Sequence, residues 1–330
     1  MRTVTVFALL AAALVVSAAA GILVGAVAIA PGDVLSALFG AEGTNGTIIR
    51  ELRLPRVLGA ALVGAALAAA GALLQGMLRN PLADPFVTGT SAGASLGAVL
   101  AVALGSEPAL VPLAAFGGAM AAIAFVWRIA RLGGRTTILT VLLAGVVLTS
   151  FAGALVTFIL VSSDRLSLRL RAVLGWLQGG ISVISWNELA VVAVVVAIGV
   201  IGALLLAPRI DAYAFGEETA AALGIDLDRT TALVLATTAL LTGAAVAIAG
   251  LIGFVGLVIP HALRFLLGAT HRRLIVASIP AGAIALVLAD LGARTALAPA
   301  ELPVGVITGL VGAPFFLALL VRRSDAAVAS

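Results

Sequence analysis

The chain has 330 residues, 62% of them hydrophobic and 10% charged, and its mean hydropathy is +1.25. Soluble domains carry about 25% charged residues, so one or two soluble domains are excluded. All 19 basic residues are Arg, and neither Lys nor Cys occurs, which excludes a P-loop Lys, Schiff-base chemistry, disulfides, thiolate catalysis and Cys-ligated metals. The Arg residues stand singly between apolar runs instead of forming a basic face, so the pI near 11.1 reflects membrane topology and not nucleic acid.

A helix needs about 20 apolar residues to cross roughly 30 Å of hydrocarbon. The first such run, 4–30, follows Arg2 and contains Ser17-Ala18-Ala19-Ala20, which resembles a signal cleavage site. It reads either as a retained helix, since it continues well past that point, or as a cleaved signal. Further spans read as 56–78, 86–104, 111–129, 137–161, 188–207, 230–249, 251–268, 274–293 and 303–321, which makes ten. The stretch 230–268 is one long helix or two spans turned at 250–256. With the N-terminus inside, two spans leave 12 Arg inside and seven outside, namely Arg50, Arg53, Arg56, Arg165, Arg169, Arg171 and Arg294. That split follows the positive-inside rule, whereas a single helix would put Arg272 and Arg273 or the Arg-rich tail outside.

Along the chain, Arg53 and Arg56 flank Pro55 at the outer start of the second span, where interfacial anchoring is the plain reading. In Asn80-Pro81-Leu82-Ala83-Asp84-Pro85 two prolines stop one span and start the next; it is a surface loop or a constriction lining a path. Gly89-Thr90-Ser91-Ala92-Gly93 spells the G-x-S-x-G of a nucleophile elbow. Ser91 with His261 would make an intramembrane protease, but no strand precedes the motif, and small residues at helical spacing account for it. Gly89, Gly93 and Gly97, like Gly305 and Gly309, let backbones approach, within one bundle or at a subunit interface. Glu217 and Glu218 suit a helix start and Gly224 its end, giving a short helix outside the membrane that acts as a cap or a docking element. His261 lacks a second ligand at metal spacing. Asp290 and Arg294 are an i,i+4 pair. Residues 64–81 recur in part 179 positions later as Gly243 to Pro260, a modest echo that would make the halves inverted.

Together, Arg53-Leu54-Pro55-Arg56, the small-residue helix ending in Asn80–Pro85, the loop 216–224, the block Gly253 to His261 and Glu301-Leu302-Pro303-Val304-Gly305 resemble one family. It is the permease family of ATP-binding-cassette importers for ferric siderophores, haem and vitamin B12, and the resemblance covers nearly the whole chain. It implies an all-α polytopic fold of about ten transmembrane helices with inverted halves, one transmembrane permease domain over 1–330 and a cytoplasmic coupling loop over 211–229. It also implies a homodimer, two ATPase subunits that hold the ATP and Mg, and a periplasmic or lipid-anchored binding protein. The setting is the bacterial inner membrane, multi-pass in lipid, with both termini cytoplasmic. Residue by residue, Glu217, Glu218, Ala220, Leu223 and Gly224 match the ATPase-coupling helix. Arg53, Arg56 and Arg294 match the arginines that meet acids on the binding protein. Asn80 and Leu82 match one gate, with Leu139 and Thr140 at the less clear second one.

No catalytic residue, resident cofactor, metal site or nucleic-acid partner is expected on this chain. A ferric siderophore is the favoured cargo, as the family's commonest, with haem and cobalamin open and an oxyanion more distant. Thr149, Ser150 and Thr157 are candidates for the path. The alternative class, an ion-driven secondary transporter, would need buried acids in the spans, and the one clear acid, Asp290, has an Arg partner.

Overall fold

The computed structural model describes residues 2–25, 29–40, 43–132, 136–163, 173–181, 185–268 and 270–328. Arg135, Arg165, Arg169 and Arg171 lie outside the described residues. The helices are α1 (Arg2–Leu23), α2 (Pro31–Leu38), α3 (Thr44–Thr47), α4 (Leu54–Met77), α5 (Thr90–Ala103), α6 (Val111–Ala130) and α7 (Ile138–Ser162), followed by α8 (Trp186–Tyr213), α9 (Glu217–Ala222), α10 (Leu227–Ala249), α11 (Val255–Leu267), α12 (His271–Thr295) and α13 (Val304–Val328). Among the described residues, seven helices are long and apolar enough to cross a membrane, and three shorter apolar ones, within α5, α11 and α13, make up ten.

Local chemistry sets the boundaries. Pro55 follows a π-helical turn, Ile48–Arg53, that runs without a break into α4, so the wider turn lies where the proline withholds its N–H. Capping boxes start α7 (Thr137 with Thr140) and α8 (Ser185 with Glu188), and Asp226 caps α10. The stretch 230–268 forms two helices: Gly250 (φ 62°) ends α10 and Phe254 (φ 70°) precedes α11. At about 1.5 Å per residue, the 14 residues of α5 and 13 of α11 are too short to cross alone, and each is preceded by an irregular segment that makes up the depth. The turn before α5 is a 3₁₀ segment, Pro85–Thr88, and not a strand, so Ser91 sits on no nucleophile elbow.

The core is built around α4, which is buried nearly all round. Its chief neighbour is the antiparallel α12. Arg56 meets Asp290 at one end, and eight residues further along α4, eight back along α12, Gly64 meets Gly282. A Cβ on Gly64 would collide with the Gly282 carbonyl, and one on Gly71 with the Gly256 carbonyl of α11. Gly93 and Gly97 give α5 the same close approach to α6. Gly305 abuts the Gln178 carbonyl, whereas Gly309, at the same spacing, faces open space. The halves repeat in packing: α10 lies along α6 as α4 lies along α12. The 179-residue echo is not the register of that repeat, because Gly71 lies inside α4 while Gly250 ends α10, and Pro81 follows α4 while Pro260 lies inside α11.

Replacing Gly71 by Ala should destabilise the protein by about 1–3 kcal/mol, the usual cost of overpacking. Gly117→Ala, with nothing within 4 Å of the new Cβ, should be neutral or stabilising by up to about 1 kcal/mol through helix propensity. Thermal unfolding in detergent checks both.

Candidate functional site

Two ends of the bundle carry the polar groups, and the first surrounds α9. The 28 residues of α8 span about 42 Å, more than the hydrocarbon needs, so its last turns project. The Tyr213 hydroxyl donates to the Leu227 carbonyl at 3.1 Å, tying the end of α8 to the start of α10. Between them, Gly216 (φ 104°) turns the chain into α9, with Glu217 and Glu218 in its first turn. Gly224 (φ 82°) ends it, and the Ile225 N–H closes back on the Ala220 carbonyl at 3.1 Å. Ala220 is fully buried, while Phe215, Glu218 and Leu223 are exposed. The short helix is therefore anchored on one side and offers apolar and acidic groups on the other. The Asp228 carboxylate also accepts the Thr136 N–H at 3.1 Å, fixing the approach to α7.

Beside α9 lies the irregular segment after α4. Asn80 Oδ1 accepts the Leu82 N–H at 2.9 Å, and Asp84 Oδ1 accepts the Phe86 N–H at 2.8 Å. Buried Gln75 donates through Nε2 toward the carbonyls of Leu257 (3.0 Å), Gly256 (3.3 Å) and Ala83 (3.4 Å), locking the segment to α11. Sequence reasoning missed Gln75, whose signal is a lone amide in an apolar helix. An open cleft of about 610 Å³ is lined by Leu78, Arg79, Ile138, Leu139 and Glu217 among others. It brings the end of α4, the start of α7 and α9 together. Of the expected gate residues, Leu139 lines this cleft, Thr140 spends its hydroxyl on the α7 capping box, and Asn80 and Leu82 lie in the adjoining turn.

A smaller hollow of about 310 Å³ between α5 and α7 is lined by Ser91, Ser95, Thr149 and Gly153. Thr149 therefore faces it, and Ser150 and Thr157 lie on the exposed side of α7. His261 is buried and packs edge-on against Phe265 at 5.1 Å.

The second end holds the three arginines. Arg56 reaches Asp290 (3.0 Å) and grips Glu301 through both Nη atoms, at 3.2 and 2.9 Å. Asp290 also pairs with Arg294 at 3.0 Å, the i,i+4 contact expected from the sequence. Arg53 and Arg294 are only 6% and 7% exposed. Arg53 donates to the carbonyls of Ile22 (2.8 Å) and Leu23 (3.0 Å), and Arg294 to those of Gly21 (3.1 Å) and Val24 (3.3 Å). These are carbonyls at the C-terminal end of α1, which have no partner within their own helix and carry the negative end of its dipole. Two of the three arginines are thus turned inward as a cap on α1, and Arg56 with Glu301 is the pair nearer the surface.

The comparisons with known proteins agree with this architecture. Residues 10–322 match the model of the FecCD transport family. The cobalamin import system permease protein of Halobacterium salinarum is 41% identical over 287 residues, covering 86% of this chain and 76% of that one. The hemin transport system permease protein of Yersinia pestis is 38% identical over 281 residues, 83% of each chain. A structure of a metal-chelate type ABC transporter in an inward-facing conformation superposes with a TM-score of 0.84 at 29% identity, over 97% of this chain and 99% of that one. A multi-pass membrane protein with this helix order and these relatives belongs to the FecCD transport family of ATP-binding-cassette importer permeases.

Proposed function

We propose that the chain forms the transmembrane path of an importer for a large metal macrocycle, cobalamin first. The observation that carries the reading is the 41% identity to a cobalamin permease over 86% of the chain. Haem is the second reading, supported by the relative named for hemin. Ferric siderophore, favoured from the family resemblance, is the third. Two copies enclose the path in a bacterial inner membrane, with the α9 end and both termini in the cytoplasm. Two ATPase subunits dock on α9, since a chain without Lys has no P-loop of its own. A binding protein delivers cargo at the Arg56 end. ATP binding on the partner moves α9, the two permeases rock, and access switches from outside to inside. No covalent bond in the cargo changes. In this reading the ATPase contact within the expected loop 211–229 is α9 with its flanking turns, since Asp211 to Tyr213 close α8 and Leu227 to Arg229 open α10; Asn80, Leu82, Leu139 and Thr140 gate the cytoplasmic side, and Thr149 faces the cargo.

The cargo is tested in proteoliposomes holding the permease with its ATPase and binding protein. Labelled cobalamin should accumulate on ATP addition, with haem and a ferric siderophore well below it. Accumulation of either of those instead reassigns the cargo.

Reversing Glu217 and Glu218 to Arg should weaken co-purification of the ATPase by at least about tenfold, or 1.4 kcal/mol, and stop uptake while membrane insertion persists. The new charges would oppose whatever basic groups receive the acids. Normal uptake in the double variant would reduce α9 to a cap.

The docking surface is tested at the pair nearest the outside. Arg56→Gln should slow association with the binding protein and flatten its salt dependence, as loss of a rim charge does. Glu301→Gln should speed association, because it releases the guanidinium that Glu301 now occupies. Reversals of Arg53 or Arg294 also unclamp α1 and are read together with stability. Equal association rates for Arg56→Gln, Glu301→Gln and the native protein would refute the docking role.

A further inference from the structure

Asp211 stands in the last turn of α8, six residues before Glu217. A carboxylate there faces the negative end of its own helix, a poor position unless another element compensates. The start of α12 supplies that compensation. Its N-cap, Thr270, makes no side-chain hydrogen bond. Instead Asp211 Oδ1 accepts the His271 backbone N–H at 2.9 Å and lies 2.7 Å from His271 Nδ1. One carboxylate thus caps α12 from a different helix and orients its first side chain.

The His271 ring is buried, and its Nε2 has no hydrogen-bond partner. That face of the ring lies against Gly76, in the last turn of α4. A Cβ on Gly76 would collide both with the ring and with Ile210 of α8. Ile210, next to Asp211, and His271, bonded to it, therefore form a wedge against one side of the α4 backbone. From this wedge the chain runs directly into the irregular segment, with the Asn80 N–H bonded to the Gln75 carbonyl at 3.1 Å and the Arg79 N–H to the Gly76 carbonyl at 3.2 Å. Three helix ends meet here. One leads to α9, one leads to Asn80–Asp84, and the third, α12, runs back to the arginine cluster.

We propose that Asp211, His271 and Gly76 form the joint that carries movement of α9 to the Asn80–Asp84 segment, with Asp211 and His271 as positioning residues for transport. The proposal rests on the reading of α9 as the ATPase contact. A push on α9 reaches the last turn of α8 through a short, tied connection, since Tyr213 is bonded across to Leu227. The Asp211–His271 contact passes it to α12, and the absence of a Cβ at Gly76 leaves no slack between ring and backbone. Packed contacts of this kind shift between discrete arrangements and do not yield gradually.

The test uses the assembled complex with its ATPase and binding protein in proteoliposomes, and reads cargo moved per ATP hydrolysed. Asp211→Asn and Gly76→Ala should still co-purify with the ATPase and hydrolyse ATP within about twofold of native, while cargo per ATP falls at least tenfold. Asp211→Glu should recover most of the ratio. A purely structural role would lower yield and both activities together and leave the ratio alone, and that result overturns the proposal. A second measurement does not depend on transport. The native chain lacks Cys, so single Cys residues at Leu223 on α9 or at Leu82 report those places alone when spin-labelled. ATP should move both labels in the native background and only the Leu223 label in Asp211→Asn. If both labels move equally in Asp211→Asn, the joint is wrong and the reading of α9 stands. If the Leu223 label stays still in the native complex, the reading of α9 falls.

Discussion

Everything in this bundle depends on how closely α4 and α12 approach. Between helices in lipid there is little hydrophobic drive, so contact must come from packing of backbone on backbone. Gly64 and Gly282 provide it at mid-membrane, and that contact fixes an antiparallel register. The register then determines both polar ends. It sets Arg56 against Asp290 on one side and Gly76 against His271 on the other. A single side chain larger than hydrogen at Gly64 would spread the pair and disturb both ends at once.

Charge is scarce here, and where it enters the bundle it is spent on structure. Asp290 is 1% exposed and receives two arginines, which keeps a buried carboxylate from standing uncompensated. Arg53 and Arg294 take backbone carbonyls as their acceptors. The outward faces of α7 and α8 are by contrast largely apolar and exposed, available to lipid or to another chain.

The sequence made local features legible and left distant pairings dark. Hydropathy located the seven long spans and the three shorter apolar helices, because each must be apolar for itself. The turn at 250–256 was readable from glycine, and the outline of α9 from two acids and Gly224. Asp290 with Arg294 was readable because four residues separate them. Arg56 with Asp290 was not, since they stand 234 positions apart and no periodicity encodes which distant helix lies opposite. For the same reason Arg53 and Arg294 looked like a charged rim, although the carbonyls they satisfy belong to α1. Gly305 and Gly309 share one spacing and one chemistry, yet only Gly305 meets a neighbour. Asp211 left a faint trace, an acid at the wrong end of a helix, whose explanation lies 60 residues on.

The arginine cap on α1 has a consequence for the order in which the molecule is made. Arg53 follows the carbonyls it holds by about 30 residues, but Arg294 follows Gly21 by 273. At roughly 5–20 residues per second of synthesis, the second clasp arrives on the order of tens of seconds after α1 has left the ribosome. During that interval Arg53 is the one of the two arginines that caps α1, and the carbonyls left to Arg294 are open to water, lipid headgroups or the insertion machinery. Biogenesis of this chain therefore closes at its beginning only when its end has been delivered.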